Sequence, residues 1–505
     1  MDAQLHKHWE QFQQLVRKII SYNEALGLLY WDLRTGAPRK GTDIRSETIG
    51  ILSTEGFKLQ VSEEMGQLLA IFAEPQNEQQ LDERSRRMVA EVRKNYEQSQ
   101  SIPPEKFQEY TILSSQSEVK WEEAKENSDF AGFEPYLSRI VALKQEFIDY
   151  WGVKDTRYDT LLDMYEPEMT VEKLDAIFDR LKARLVPLVQ AIQKSTFEPE
   201  TGFLKQLFPK EQQKKLSLFL LEQMGYDFEA GRLDESVHPF ATGLNPRDVR
   251  ITTKFHQDDV LSAIYSSLHE GGHALYEQNV DIELAGTPLA GGTSMGIHES
   301  QSRLWENMIG RSRPFWNRYF TDLQQHFPEQ LKDVTAEQLF LAANRVENSL
   351  IRIEADELTY NLHIIIRYEI EKMIFNEGLS VKELPATWNA KYQDYLGLTP
   401  PNDGVGVLQD VHWSGGDFGY FASYSLGNMY AAQILNTMRQ EIPNLDNLIE
   451  EGKLAPIKEW LTDKIYKYGK SEKPAEIIKR VTGEELNPDY LADYLEAKYT
   501  EIYKL

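Results

Sequence analysis

The stretch Leu268-His269-Glu270-Gly271-Gly272-His273-Ala274 restricts the fold more than any other part of the chain. Two histidines four residues apart share one face only if the backbone between them is an α-helix. On that face both imidazoles can reach a single ion at about 2.0–2.1 Å. Glu270 is rotated about 100° from His269, so it borders such a site without being a ligand. The spacing therefore predicts a helix with a metal-binding face and a carboxylate beside it. The competing reading is a surface helix that carries two histidines by accident.

The flanking sequence supports a buried helix. Asp258-Asp259 supplies an N-cap, and Val260, Leu261, Ile264, Leu268 and Leu275 mark an apolar side. Gly271-Gly272 weakens a helix by about 1 kcal/mol per glycine relative to alanine. Two reasons for the pair stand equal: a substrate or other segment passing close to that face, or close helix packing. Upstream, Val249-Arg250-Ile251-Thr252-Thr253-Lys254-Phe255 alternates apolar and polar residues and reads as a strand, preceded by a loop at His238-Pro239-Phe240. Downstream, residues 284–297 form a glycine-rich loop that runs into a helix beginning near His298-Glu299.

The rest reads as helix after helix. Apolar residues recur at helical spacing around Phe12 to Ile20, Met88 to Val92, Tyr136 to Ile148 and Leu174 to Ile192. Pro103-Pro104 and Thr170 open helices, and Thr335-x-x-Gln338 and Ser380-x-x-Glu383 are capping boxes. Ala342 to Ile374 reads as one long helical stretch. Pro400 to Gly419 is a glycine-rich loop carrying Asp410, His412, Trp413 and Asp417, and helix resumes over 420–440. No repeat or low-complexity linker interrupts the 505 residues, which favours one helical body with a cleft. The net charge of −25 argues against nucleic-acid and polybasic membrane surfaces. The absence of cysteine removes disulfides, thiolate ligands and thiol nucleophiles. The N-terminus lacks a secretory layout and no apolar run approaches a membrane span, so the expected location is cytoplasmic.

H-E-x-x-H is the signature of metalloproteases. A catalytic zinc takes three protein ligands and leaves one position open. After His273 the chain offers no third histidine in the elongated form of the motif, so the third ligand is assigned to Glu299, with Glu277 and Glu306 as rivals. Glu277 suits an outer hydrogen bond better. The expected chemistry is hydrolysis by activated water, with Glu270 as general base and then general acid. Candidate oxyanion donors are His238, His412, Tyr420 and Tyr424. Candidate partners for a substrate carboxylate are Arg352, Arg250 and Lys254, although Arg352 also fits an i,i+4 pair with Asp356 on a helix.

Six stretches in order then make the chain resemble the carboxypeptidase Taq family, also called thermostable carboxypeptidase 1. They are His238-Pro239-Phe240, Asp248 to Thr252, His269 to His273, His298-Glu299-Ser300-Gln301, Ile351-Arg352 through Ala355-Asp356, and Gly406 to Trp413. Tyr30-Trp31-Asp32 and Tyr158-Asp159 through Tyr165-Glu166-Pro167 are similar too. The resemblance implies an all-α fold with a small β-sheet near the site. It implies a two-lobed body like neurolysin and angiotensin-converting enzyme, one catalytic domain over 1–505 with a deep groove. His269, His273 and Glu299 would hold one divalent ion, zinc or cobalt, and Glu270 would be the acid/base. The activity would be release of single residues from peptide C-termini with broad preference, poor at proline, in a homodimer. Arg352 moves up as the carboxylate binder, with Arg250 second. The rivals are an oligopeptidase that cuts internally and a non-catalytic helical peptide-binding protein with a structural metal.

Overall fold

Helix caps written in the sequence open many of the helices in the computed structural model, which describes all 505 residues. Asp2, Ser62, Asp82, Thr170, Asp259 and Thr335 each accept a backbone N–H two or three residues into the helix they precede. The result is an all-α protein with one small sheet. Its apolar faces meet in one core that runs from Leu5 to Tyr503. No helix is long and apolar enough to cross a membrane.

The sheet has three strands, β1 (Leu233–Glu235), β2 (Ala241–Asn245) and β3 (Asp248–Thr253), in the order β1-β3-β2. β3 runs parallel to β1 and antiparallel to β2, with Thr242 opposite Arg250 and Leu233 opposite Ile251. The alternation expected of this stretch holds through Ile251 and ends at Thr252, which is buried as well and bonded to Ser236 and the Phe240 N–H. Val249, Ile251 and Thr253 are buried, and Thr253 is hydrogen-bonded to Ser266 of the motif helix at 2.6 Å. The sheet thus lies against the helix that carries H-E-x-x-H.

Two helices form the centre. Phe421–Glu441 packs against Met295–Arg303, and Tyr360–Lys372 has 11 of its 13 residues buried, as befits a helix covered on every side. The expected long helix over 342–374 is not there. One helix ends at Ala343, where the Asn344 amide donates to the Arg311 and Phe340 carbonyls. The next starts only at Tyr360. Between them Asp356 accepts from the N–H groups of Leu358 and Thr359, and the Arg352 N–H is taken by Gln409. These side-chain bonds replace the helical ladder. The helix expected to begin near His298 starts earlier, at Met295, because Ser294 caps it.

Candidate metal centre

The motif helix, Val260–Gln278, carries His269, Glu270 and His273. The next helix, Met295–Arg303, carries Glu299 and widens into a π-helical turn, Leu304–Ile309, that carries Glu306. The two helices touch because Gly272 has no side chain. A Cβ there would stand 2.6 Å from the Gln301 carbonyl oxygen and 2.7 Å from the Ser302 Cα. From the opposite side Gly427 admits Glu299, whose Cγ would lie 2.5 Å from a Cβ at that position. Gly271 is filled by Leu221 and Met224. Of the two reasons for the glycine pair, helix packing is the one present.

This packing brings the ligand atoms of His269, His273 and Glu299 within 4.8 Å of one another. Glu299 Oε2 lies 3.6 Å from His269 Nε2 and 3.4 Å from His273 Nε2. Both Nδ1 atoms are engaged elsewhere. His269 Nδ1 is 2.8 Å from Glu306 Oε2, and His273 Nδ1 is 2.6 Å from His298 Nδ1. Glu306 and Glu277 therefore sit outside the trio, Glu306 on His269 and Glu277 on His298 at 2.8 Å. Arg303 donates to Glu299 Oε1 at 2.7 Å and to Glu306 at 3.2 Å.

The electrostatics favour a cation in the middle. Burial opposes charge on Glu299, but Arg303, His269 and His273 outweigh it and hold the carboxyl well below the usual range. Glu306 falls to about 2 despite burial, through Arg303, His269 and Arg311. Burial works against charge on His269 too, yet Glu299 and Glu306 raise it to about 9, whereas at His273 burial wins and lowers it to about 4. Glu270 is different. Burial, with Glu299 and Glu306 near, pushes it up to about 7 against the pull of His269. Two nitrogens and one carboxylate converge with their outer atoms already bonded, so the donor set fits a divalent metal such as zinc.

A wall of aromatic and charged groups adjoins this centre. Arg303 lies over the Tyr360 ring, 4.4 Å from its centroid, and the Tyr360 hydroxyl accepts from Arg352 at 3.1 Å. Arg352 is buried, paired with Asp410 at 2.9 Å, and 5.1 Å from the Tyr424 ring centroid. The pairing with Asp356 is not made. Asp410 also takes Arg367, and these two arginines overcome burial to keep its carboxyl far below the ordinary range. His412 Nε2 is 3.2 Å from the Tyr424 hydroxyl, its Nδ1 is buried without a partner, and burial lowers the ring to about 4. Tyr420 packs on Tyr424 with centroids 5.2 Å apart; burial and the charge of Glu299 push it up to about 12.

His238 and Arg250 lie apart from this wall. His238 is exposed in the β1–β2 loop, beside a cavity of about 540 Å³ lined by Tyr30, Trp31, Arg34 and Phe240. Arg250 is clamped by Asp248 through two bonds of 2.7 Å and faces Trp31. Lys254, expected on the same strand face, follows the end of β3. Sequence reasoning missed His298, Arg303 and Arg367 as parts of the site. Arg303 had a signal, because it stands four residues after Glu299 on one helix.

A family model described as carboxypeptidase Taq (M32) metallopeptidase matches residues 11–499. The chain belongs to this family. The M32 chain is 50% identical to carboxypeptidase 1 of Bacillus subtilis over 99% of its own length and 100% of the relative's. It is 40% identical to thermostable carboxypeptidase 1 of Thermus thermophilus, with 96% of each covered. Among solved structures it is similar to the M32 carboxypeptidase of Deinococcus radiodurans, with a TM-score of 0.95, 38% identity, and 99% and 100% of the two chains covered. It is also similar to the Pyrococcus furiosus carboxypeptidase, with a TM-score of 0.94, 35% identity, and 97% and 99% covered. It is thus a metallocarboxypeptidase, a hydrolase of peptides that depends on a divalent metal.

Proposed function

We propose that this M32 enzyme releases single amino acids from the free C-terminus of peptides, with broad preference and poor action at proline, using one zinc ion. His269 Nε2, His273 Nε2 and the Glu299 carboxylate are its ligands, and cobalt can replace zinc. The observation that carries the reading is the way both Nδ1 atoms are tied off by Glu306 and His298 while both Nε2 atoms face Glu299 Oε2. Three ligands leave a position open, unlike the four of a structural zinc. The ion, when bound, lowers the pKa of water and polarises a carbonyl.

Glu270 is on the motif helix but outside the trio, and its carboxyl, raised to about 7 by burial first, suits proton transfer near neutral pH. It takes the proton of the attacking water and gives it to the leaving amine. Tyr420, packed on Tyr424 and within the field of the Glu299 charge, is the preferred donor to the oxyanion, with His412 holding Tyr424. Arg352 binds the terminal carboxylate. It retains N–H groups beyond its bonds to Asp410 and Tyr360, whereas Arg250 is clamped by Asp248 in a different cavity. One catalytic domain over 1–505, with two helical lobes about a groove, is consistent with the single core.

The test is hydrolysis of free-acid and amidated peptides with and without chelator. Chelation abolishes turnover, and zinc or cobalt restores it. Glu270→Gln binds metal normally and loses at least about a thousandfold in kcat, the upper part of what acid–base groups and their neighbours supply. Full turnover in that variant sinks the mechanism. Equal action on amidated peptides moves the reading to an oligopeptidase that cuts internally.

A further inference from the structure

We propose that His298 and Glu277 together set the tautomer of His273, keeping its Nε2 free as a donor toward the metal. The proposal rests on the metal-site reading above and extends it to residues that do not touch the metal. His298 and Glu277 are positioning residues.

The argument starts from which atoms can carry protons. Glu277 Oε1 already accepts the Gly292 N–H at 3.0 Å and lies 2.8 Å from His298 Nε2. The carboxylate has only acceptors to offer, so the proton in that contact sits on His298 Nε2. In the tautomer with its proton on Nε2, His298 has a bare Nδ1. That bare nitrogen stands 2.6 Å from His273 Nδ1, which must donate. With its proton on Nδ1, His273 presents a lone pair at Nε2, the atom that faces Glu299 Oε2 at 3.4 Å. The carboxylate of Glu277 therefore acts on the metal face through an intervening imidazole. His269 has the shorter arrangement, with Glu306 directly on its Nδ1.

The surroundings are shaped for this chain of bonds. Gly292 has no Cβ where His298 Cδ2 would stand 2.4 Å away. Tyr276, whose hydroxyl accepts from the Thr293 N–H at 3.3 Å, packs its ring 5.4 Å from His298. The glycine-rich loop before the Glu299 helix thus wraps the His298–Glu277 pair and donates to the carboxylate. Charge agrees with the geometry, since burial would raise Glu277 but His298 and the Gly292 N–H hold it low.

The experiment measures zinc and cobalt affinity of the full chain by competition with a chromophoric chelator, the visible spectrum of the cobalt form, and the melting temperature of the metal-free form. His298→Phe fills the ring volume but accepts nothing from His273, and metal affinity falls about 10- to 100-fold, as for other outer partners of metal ligands. His298→Gln restores an acceptor oxygen and regains most of that loss. Glu277→Leu keeps His298, removes its acceptor, and falls between the two, which covers the case of a His298→Phe chain that does not fold. The proposal is overturned if His298→Phe and Glu277→Leu bind metal like the parent, or if His298→Gln is as weak as His298→Phe, which would mean packing alone. His273→Ala and Glu299→Gln are measured alongside. If those two keep parental affinity, the metal-site reading itself has failed; if they lose it while His298→Phe does not, only the relay has.

Discussion

Gly272→Ala is the sharpest probe of how the centre is assembled. The new Cβ would stand 2.6 Å from the Gln301 carbonyl oxygen and 2.7 Å from the Ser302 Cα, both backbone atoms that no rotamer change can move. Relief to the 3.4 Å of ordinary contact needs the Glu299 helix to shift by about 0.8 Å. Overpacking of this kind costs about 1–3 kcal/mol. The gain in helix propensity returns about 1 kcal/mol, so the net loss of stability is about 0–2 kcal/mol. The larger effect is on the site. A ligand set tolerates errors of only about 0.2 Å, and a misplacement near 1 Å can cost roughly a hundredfold in rate. We expect Gly272→Ala to fold, to melt a few degrees lower, and to lose about 10- to 100-fold in kcat/KM and in metal affinity. Gly50→Ala is the control, because a Cβ there meets nothing within 4 Å and the position is an ordinary helix interior. It should be neutral or stabilising by up to about 1 kcal/mol and leave activity unchanged. If Gly272→Ala matched Gly50→Ala in metal affinity and turnover, the idea that glycine contact sets the position of Glu299 would be wrong.

Asp410→Asn leaves Arg352 and Arg367 buried and facing a neutral group, and should destabilise by about 3–5 kcal/mol in thermal or denaturant unfolding. Because the arginines overcome burial to depress the Asp410 pKa, its contribution is present above the ordinary carboxylate range and fades as pH falls below it, so the gap between parent and variant should narrow in acid. Glu166 gives the opposite slope. Burial raises it to about 7 despite bonds from Tyr430 and the Gly296 N–H, so its contribution is fully present below about 4.5 and lost as pH rises through about 7. Glu166→Gln should therefore gain on the parent between pH 5 and pH 8, by up to about 3 kcal/mol, in parallel melts; a pH-independent difference would refute this. Arg352→Gln should lower kcat/KM for free-acid peptides by roughly 10- to 100-fold, the worth of a charged hydrogen bond, while Asp410 keeps Arg367 as a partner; an unchanged value removes Arg352 as the carboxylate binder.

What could be read from the sequence was whatever a single element specifies. The i,i+4 histidines, the Asp259 cap and the alternation of β3 each follow from the period of one helix or strand, and each has its place in the fold. The helices that open at Pro104, Thr170 and Thr335 announce themselves by a first-turn proline or a local cap. Pairing between distant segments leaves no such mark. Asp410 carries no local sign that it will draw two arginines, one of them out of a stretch whose apolar pattern reads as helix. The same holds for His298, which sits in a recognisable motif next to Glu299, yet its partners lie 25 residues back at His273 and 21 back at Glu277. The glycines are the intermediate case. Gly272 and Gly292 stand out in sequence as costly in a helix or as a loop former, but what each one admits, a carbonyl or an imidazole, depends on which helix arrives. A site made of one helix's periodicity is legible early. The outer ring of Glu306, His298, Glu277 and Arg303, which decides how His269, His273 and Glu299 face one another, is a property of the packing between helices and becomes visible only with it.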